Sequence, residues 1–314
     1  GKLKGLTNAV LRKVAATGPE AWHALRPPRM PKWLRSPLSQ AWGNEAMAIM
    51  EIAHFAGAPL DLTPRDGDAA ALAARVGGSV LPTGSVRLAD AGQVSTMDGY
   101  SEGAWWVQDA AAAIPAQILA PADAETVLDL CAAPGGKTMQ LSAMGANVTA
   151  VDVSKSRMAR VQENLSRVGL KADVQVADAL TLEGEFDAIL LDAPCSATGT
   201  IRRHPDLPHA KDGSEFGELI DLQARILDHA WTLLKPGGRL VFCTCSLLPD
   251  EGEVQVEEAL KRHPDMSLNR DALGIEGVDP SWTTSEGGLR LRPDYWPDLG
   301  GMDGFYIAVL TKAS

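Results

Sequence analysis

The sequence predicts an α/β fold in which a doubly wound parallel sheet follows a smaller α+β unit. Two observations predict this fold. From about Val107 onwards, apolar runs of strand length alternate with segments of helical period, a pattern that produces parallel strands joined by helices. Before Val107 the pattern is mixed. A chain of 314 residues is also long enough for about two domains, so we divide it into residues 1–30, 31–106 and 107–314.

The first two units contain local signals for helices, short strands and chain breaks. Residues 6–15 have the spacing of a short helix, and the proline-rich segment 26–31 ends it. The second unit is predicted to contain helices over 38–57 and 70–77 and short strands over 60–65 and 85–89. It has no recognisable chemical motif, and we expect it to be a small α+β subdomain.

The third unit alternates regularly between the two kinds of element. Its strands are predicted over 126–131, 147–153, 173–178, 187–194, 239–246, 289–293 and 305–312. Its helices are predicted over 137–145, 156–169, 219–234 and 254–264. In a sheet of this kind the ligand binds beyond the carboxyl ends of the strands. The sequence therefore predicts a site at that edge, where all four cysteines fall.

Composition favours a soluble protein of the reducing cytoplasm. No apolar run approaches the roughly 18 residues that span a bilayer, and the most suspicious stretch, 110–122, is interrupted by Pro115, Gln117 and Pro121. No signal-peptide pattern precedes the first helix. We expect no membrane contact and free thiols at Cys131, Cys195, Cys243 and Cys245.

The distribution of charge qualifies the acidic net charge of −11. Residues 1–40 contain eight lysines and arginines against Glu20 alone, a balance of +7, so the rest of the chain carries −18. A basic arm on an acidic body is typical of nucleic-acid binding, although a solubilising leader fits the same numbers.

A glycine-containing turn and a series of acids predict a nucleoside-cofactor pocket. The segment 128–138, LDLCAAPGGKT, runs from a strand through a turn into a helix, but it matches neither the dinucleotide motif nor the P-loop. Four successive strands each end near an acid: Asp129, Asp152, Asp178 and Asp192. Asp152 can accept both ribose hydroxyls and Asp178 the adenine amine. This pattern favours an adenosine-bearing cofactor with a positive charge, such as S-adenosylmethionine.

The next motif, 190–206, carries a thiol beside the predicted pocket. Methyltransferases that act on exocyclic amines usually have a polar-Pro-Pro-aromatic tetrad here, whereas this chain has Asp192, Ala193, Pro194 and Cys195. Carbon 5 of a pyrimidine is a poor nucleophile until a thiolate adds to carbon 6. The candidate thiols are Cys195 and the pair Cys243 and Cys245.

Five motifs in series carry a resemblance to a known family: LDLCAAPGGKT, AVDVS, LLDAPCSATGTIRRHPD, CTCSLLPDEGE and DGFYIAVL. They resemble the RNA cytosine-5 methyltransferases, and most closely the Sun/Fmu (RsmB) branch that acts on 16S ribosomal RNA. The similarity is dense from about Trp106 to Lys312 and thinner before it. It implies a Rossmann-like methyltransferase sheet, S-adenosyl-L-methionine as cofactor, and RNA, in particular 16S rRNA or the precursor of the small ribosomal subunit, as partner.

The resemblance also implies roles for individual residues. Cys245 would be the nucleophile, Cys195 would assist product release, Asp192 would hydrogen-bond the ring, and Lys137 would lie close to the target base. The cofactor would be held by Asp152, Asp178, Asp192 and the loop formed by Cys131, Ala132, Ala133, Pro134, Gly135, Gly136 and Lys137. Arg202, Arg203 and His204 would position RNA. Cys243 is interpreted as strand filler, and Asp129 as a loop organiser.

Several alternatives stay open at this point. A four-cysteine zinc site is disfavoured because no C-x₂-C pair occurs, so we expect no metal, and a Cys243–Cys245 redox pair is equally weak. The substrate could be another RNA, such as transfer RNA, or the protein could be a ribosome-assembly factor that binds RNA without methylating it.

Two departures from the family pattern bear on RNA binding. Residues 207–215, LPHAKDGSE, replace an apolar, Trp-containing segment. The branch also carries an N-terminal NusB-type module, of which only a final helix corresponds to residues 6–15. We therefore expect a piece of a longer protein. We also expect a monomer.

Overall fold

The computed structural model describes residues 3–314. Its N-terminal part contains helices and a small antiparallel sheet. The helices are α1 Lys4–His23, α2 Lys32–Trp42, α3 Asn44–Ala56 and α4 Ala69–Val76. The strands are β1 Leu60–Pro64, β2 Ser79–Val80, β3 Val86–Leu88 and β4 Trp105–Val107, in the order β2-β3-β1-β4. Gly43 adopts φ 84° and separates α2 from α3, so the single helical segment expected over 38–57 is two helices.

The larger sheet is built from the rest of the chain. Its strands are β5 Thr126–Leu130, β6 Asn147–Asp152, β7 Asp173–Val176, β8 Phe186–Asp192, β9 Leu234–Thr244, β10 Met266–Leu268, β11 Leu289–Leu291 and β12 Phe305–Lys312. The order is β10-β12-β9-β8-β5-β6-β7, and β11 pairs with β12. The five strands from β9 to β7 are parallel, while β12 runs antiparallel to β9 and β10. The predicted α/β sheet is confirmed.

Helices cover this sheet as its crossover connections require. They are α5 Ala110–Leu119, α6 Gly136–Ala143, α7 Lys155–Val168, α8 Leu207–Ala210, α9 Phe216–Leu233 and α10 Glu253–Arg262. The apolar stretch that begins at residue 110 is α5, which is buried around most of its circumference and packs on the sheet despite containing Pro115. None of the described helices combines the length and the apolar character needed to span a membrane.

Two apolar clusters bury the two faces of the larger sheet. One contains Ile114, Val241 and Ile307, and the other contains Leu191, Phe242 and Leu310. Adjacent strand residues such as Val241 and Phe242 point to opposite faces, as the period of two requires. Because both faces of the sheet are buried, a ligand can reach only its edges. The division of the chain into three domains stays a prediction.

A second set of contacts ties the small sheet to the larger one through buried charges. Arg87 forms a bidentate ion pair with Asp61, at 2.7 Å for both bonds, and also donates to the carbonyls of Leu299 and Gly301. Asp61 in turn accepts from the backbone of Ala110 at the start of α5. Removing one partner from a buried pair of this kind leaves an uncompensated charge, so the network fixes the two sheets relative to each other.

His54 on α3 is buried near Arg202, and its surroundings predict an acid-sensitive stability. Burial, together with the charge of Arg202, lowers the pKa of His54 from 6.5 to about 4. Between these values the unfolded chain binds a proton that the folded chain does not. The contribution of His54 is therefore fully present above about pH 6.5 and is lost as pH falls towards 4.

We expect the free energy of unfolding to fall by on the order of 2 kcal/mol, through this residue alone, between about pH 7.5 and about pH 5. His54→Leu should remove this loss, because leucine does not bind a proton. The substitution should break no hydrogen bond, because neither ring nitrogen has a partner in the described chain. Urea unfolding of both proteins at the two pH values measures it. The exposed His209→Leu is the control, and equal pH slopes for wild type and His54→Leu would refute the assignment.

Candidate active site

Parallel pairing of β8 with β9 brings two cysteine-bearing loops to one edge of the sheet. In this pairing Asp192 lies opposite Cys243, and both strands end there. Cys195 follows β8 and Cys245 follows β9, and their Sγ atoms are 3.5 Å apart. Both side chains are partly exposed. The structure therefore brings together two thiols that are 50 residues apart in the sequence.

A buried carboxylate binds both of these loops. Glu251 is completely buried, and it accepts hydrogen bonds from the backbone and hydroxyl of Ser196 and from the hydroxyl of Ser246. Gln223 on α9 donates to the same carboxylate at 3.0 Å. Sequence reasoning missed Glu251, whose only signal was an acid in the segment that follows the cysteine loop.

Close backbone contacts also hold the loop of Cys245. The Gly199 amide donates to the Cys245 carbonyl at 2.9 Å, and the Gly304 amide donates to the Gly199 carbonyl at 2.8 Å. A Cβ atom on Gly199 would lie 2.0 Å from the Gly304 oxygen, so only glycine fits there. The fully buried Arg290 donates to the Ser246 carbonyl and pairs with Glu253.

An ion pair between a buried lysine and a partly exposed aspartate lies next to the thiols. Lys137 Nζ is 2.8 Å from Asp192 Oδ2 and 5.1 Å from the centre of the Phe305 ring. Burial lowers the pKa of the Lys137 ammonium, but the charge and hydrogen bond of Asp192 and the interactions with Cys243 and Cys245 together outweigh burial and raise the pKa. Lys137 is therefore a permanent cation at neutral pH.

Cys243 is buried in the strand, as expected for filler, and its position adds a contact that filler does not need. Its thiol lies 3.7 Å from Asp192 Oδ1, on the opposite side of that carboxylate from Lys137. Burial raises the pKa of Cys243 well above its ordinary value, so it is a neutral donor. Asp192 is thus oriented from two sides.

The pKa of Cys195 is also raised well above the ordinary value of a thiol. The hydrogen bond with Cys245 is the largest cause, followed by burial and the charges of Cys245 and Glu251. Two thiols at this distance cannot both ionise readily. The resting pair therefore keeps Cys195 protonated.

The loop over 131–137 forms one wall of the site. Cys131 and Gly135 have positive φ values of 60° and 102°, which turn the chain sharply between β5 and α6. Burial raises the pKa of Cys131 to about 12, so it is a neutral thiol. Asp129, at the end of β5, accepts from Thr138 through one oxygen, while its other oxygen has no partner in the described chain. Burial raises the pKa of Asp129 to about 7.

The two acids predicted to hold a nucleoside lie in different settings. Asp152 is buried at the end of β6 and accepts from the backbone of Ala133 at 3.3 Å and of Ser154 at 2.8 Å. Asp178 is exposed and caps its own turn through Leu180. Val153 follows Asp152 and is 75% exposed, an apolar surface beside the carboxylate that sequence reasoning did not identify.

Arg202, Arg203 and His204 have unequal access to solvent. The Arg202 side chain is only 1% exposed, and it lies between Asp109 and Asp303 at 3.3 Å from each. The RNA contact assigned to Arg202 is therefore corrected: its guanidinium is part of the buried network. Arg203 also pairs with Asp303 but is 39% exposed, and His204 is exposed.

Some of these elements line one cavity of about 620 Å³, and Cys195, Asp152 and Asp178 are not among its lining residues. Its wall includes Cys131, Pro134, Gly136, Lys137, Asp129, Asp192, Cys245, Phe305, Arg203 and His204. Across the described residues 3–314, no group of three His, Cys, Asp or Glu side chains is arranged to hold a metal ion. The arrangement can present a thiol, a cation and a carboxylate to one flat ligand.

Comparison with known proteins agrees with the resemblance carried by the motifs. The family model described as 16S rRNA methyltransferase RsmB/F matches residues 116–311. The chain is 38% identical to ribosomal RNA small subunit methyltransferase B of Erwinia tasmaniensis, over 99% of this chain and 74% of that protein. It is 42% identical to the protein of the same name from Klebsiella pneumoniae subsp. pneumoniae, over 99% and 73% of the two chains.

A solved structure supports the same relationship. The methyltransferase homolog protein from Pyrococcus horikoshii is 28% identical, with a TM-score of 0.71 over 92% of this chain and all of that one. The predicted resemblance to the ribosomal RNA branch is thereby confirmed. The chain belongs to the RsmB/F family of 16S rRNA methyltransferases.

Proposed function

We propose that this protein transfers a methyl group from S-adenosylmethionine to carbon 5 of a cytosine in RNA, through a covalent bond between cysteine and cytosine. The observation that carries the proposal is the 3.5 Å separation of the Cys195 and Cys245 thiols beside the ion pair of Lys137 and Asp192. We propose 16S ribosomal RNA as the substrate, because the matching family model is described as 16S rRNA methyltransferase and both bacterial relatives are named ribosomal RNA small subunit methyltransferase B.

Cys245 is the proposed nucleophile. Carbon 5 of cytosine becomes nucleophilic only after an anion has added to carbon 6, and a thiolate is the natural anion at neutral pH. Cys245 and Lys137 line the same cavity, so the thiol and the ammonium face the same bound ring. Hydrogen bonding of the Cys245 carbonyl by Gly199 fixes the direction of its side chain.

Asp192 and Lys137 are proposed to bind the cytosine ring. As the thiolate adds, negative charge spreads onto the ring nitrogen and carbonyl oxygen. Lys137 offers a fixed cation to this charge, and it also orients Asp192 towards the ring nitrogen or amino group. Cys243 holds the same carboxylate from its other side. The charges are in place before the reaction, so little reorganisation is needed.

Cys195 is proposed to act after methyl transfer. Once Cys245 is bound to carbon 6 it is a neutral thioether, and its charge no longer opposes ionisation of Cys195. A Cys195 thiolate can then remove the proton from carbon 5. The electrons of that C–H bond form the C5–C6 double bond and expel Cys245 as a thiolate. Because the two sulfur atoms are close, Cys195 ionises only after Cys245 has attacked. Attack and release therefore occur in sequence.

The residues present fit the proposed cofactor. S-adenosylmethionine supplies the methyl group as a sulfonium, a good electrophile. The unpartnered, fully buried oxygen of Asp129 and the sharp turn at Gly135 are suited to its amino-acid end. Asp152 would accept from the ribose hydroxyls, and the exposed Val153 would cover the adenine. Asp178 remains a candidate for the adenine amine.

Two other functions are weaker. A transfer-RNA substrate would use the same chemistry, and the names of the relatives disfavour it. An RNA-binding assembly factor without catalysis would not need two thiols held 3.5 Å apart next to a buried cation.

The roles of the cysteines predict opposite behaviour for two variants. Cys245→Ala should abolish methyl transfer and form no covalent complex with an unmodified 16S rRNA transcript. Cys195→Ala should attack and methylate, then accumulate a protein–RNA species that survives denaturing electrophoresis, because release is impaired. Cys243→Ala, outside the pair, should trap no RNA. Trapping in Cys245→Ala but not in Cys195→Ala would reverse the roles, and methylation by both variants would disprove the covalent mechanism.

The cofactor assignment predicts a loss of binding in Asp152→Ala. S-adenosylhomocysteine should bind wild type in calorimetry and raise its unfolding temperature. Loss of a charged acceptor for the ribose should weaken binding roughly tenfold or more. The exposed Asp173→Ala, on the neighbouring strand, is the matched control. Equal affinity of wild type and a folded Asp152→Ala variant would show that the ribose binds elsewhere.

Alanine substitutions of the neighbouring Arg202 and Arg203 should have different effects, the first on stability and the second on RNA binding. Arg202→Ala should lower the free energy of unfolding by about 3–5 kcal/mol, because it leaves the buried Asp109 without its cationic partner and leaves Asp303 with Arg203 alone. Arg203→Ala should leave the protein folded and weaken RNA binding, with the salt slope of binding reduced by about one. Chemical denaturation and RNA titrations over a range of salt measure both. An unchanged salt slope in Arg203→Ala would remove this residue from the RNA interface.

A further inference from the structure

A buried acid without a cationic partner lies directly behind the two thiols. Glu251 is 0% exposed, and within the described part of the chain no lysine, arginine or histidine forms an ion pair with it. Burial of an acid in this way is unfavourable unless hydrogen bonds replace its hydration. The groups that supply those hydrogen bonds therefore show what the residue does.

Those groups belong to the residues that immediately follow each cysteine. Ser196, next to Cys195, donates through its amide at 2.8 Å and through its hydroxyl. Ser246, next to Cys245, donates its hydroxyl to the second oxygen of the carboxylate. One side chain thus binds both loops, one residue away from each sulfur atom.

Further hydrogen bonds connect the groups around the Glu251 carboxylate to one another. The Ser196 and Ser246 hydroxyls are 3.3 Å apart, and Thr198 lies 3.2 Å from Ser246 and accepts from the amide of Leu247. Gln223 connects the carboxylate to α9. The carboxylate therefore connects the two loops to each other and to the helix packed beneath them.

We propose that Glu251 is a positioning residue that fixes the separation of the Cys195 and Cys245 thiols by binding both cysteine loops to one carboxylate. The proposal rests on the proposed function for the chemical roles of the two cysteines, but not for the geometry. Glu251 also affects the protonation of one thiol. Its charge is among the causes that raise the pKa of Cys195.

The position of Glu251 allows two identical side chains, Cys245 and Cys195, to have different roles in attack and release. Release requires Cys195 to reach the carbon next to the one that Cys245 attacks, and a misplacement of about 1 Å can cost on the order of 100-fold in rate. Contacts through Ser196 and Ser246 keep the sulfur atoms near each other while leaving the thiols themselves free to react.

Disulfide formation measures the separation of the thiols without RNA or cofactor. Diamide takes two electrons and two protons from a pair of close thiols, which become a disulfide while its azo bond is reduced to a hydrazine. The rate of the Cys195–Cys245 disulfide, identified by peptide mass spectrometry, should fall on the order of tenfold in Glu251→Gln. Glu258→Gln, on the exposed face of α10, is the matched control and should react like wild type.

Two further variants keep the proposal testable if Glu251→Gln does not fold. Ser196→Ala and Ser246→Ala each remove one hydroxyl, and both should slow the disulfide by a smaller factor. In a folded Glu251→Gln protein, adding Ser246→Ala should have little further effect, because the two changes remove the same contact. Wild-type disulfide rates in the folded variants would overturn the proposal.

Methyl transfer gives a second readout that a merely structural role would not move. Glu251→Gln should lower kcat while KM for RNA stays unchanged, and the fraction of enzyme trapped on RNA should change. A parallel rise in KM with normal disulfide kinetics would contradict a positioning role. Failure of the proposed carbon-5 chemistry would appear as absent methylation in wild type, whereas the disulfide experiment would still report on Glu251.

Discussion

The parallel pairing of β8 with β9 is the constraint on which the site depends. Parallel strands end at the same edge, so the loops that follow them must start side by side. In this register Asp192 lies beside Cys243, and the next few residues of each loop are the two thiols and the two serines bound by Glu251. A shift of one residue would turn Asp192 to the other face of the sheet and separate the groups.

Charge at this edge is arranged around a single cation. Lys137 lies among Asp192, Asp129 and two thiols, and the interactions with Asp192 and the thiols together outweigh the unfavourable effect of burial on its charge. Farther out, Arg202 and Arg203 share Asp303, and Arg87 holds Asp61. The inner pair is suited to a reacting ring and the outer pairs to holding elements together. Similar residue types therefore have different uses according to what surrounds them.

The sequence predicted the parts of the site that are local in the chain. The turn from Asp129 to Lys137 and the two cysteine loops were found because each is a continuous motif at a strand end. Arg202 was misassigned because its burial depends on Asp109 and Asp303, which are about 100 residues away on either side. For the same reason Glu251 was missed, since its significance lies in partners from other segments.

The fold was predictable to a similar degree. Strand and helix alternation identified the parallel strands because each has its own apolar run. The helix α5 was not predicted, since its nearly uniform apolar composition has no helical period and Pro115 suggests a break. The late strand β10 was also not predicted. Elements specified by tertiary packing rather than by local pattern were the ones that sequence reasoning could not find.

The position of β12 has a consequence for how the enzyme is made. This strand comes after every other strand of the sheet in the sequence, yet it lies between β9 and β10. Its entry residue Gly304 binds the carbonyl of Gly199, and Phe305 lies against Lys137. A ribosome adds roughly 5–20 residues per second, so both cysteines leave it seconds before β12 does. During synthesis the nascent chain therefore carries both thiols without the contacts that complete their surroundings, and those contacts form only after β12 has been made.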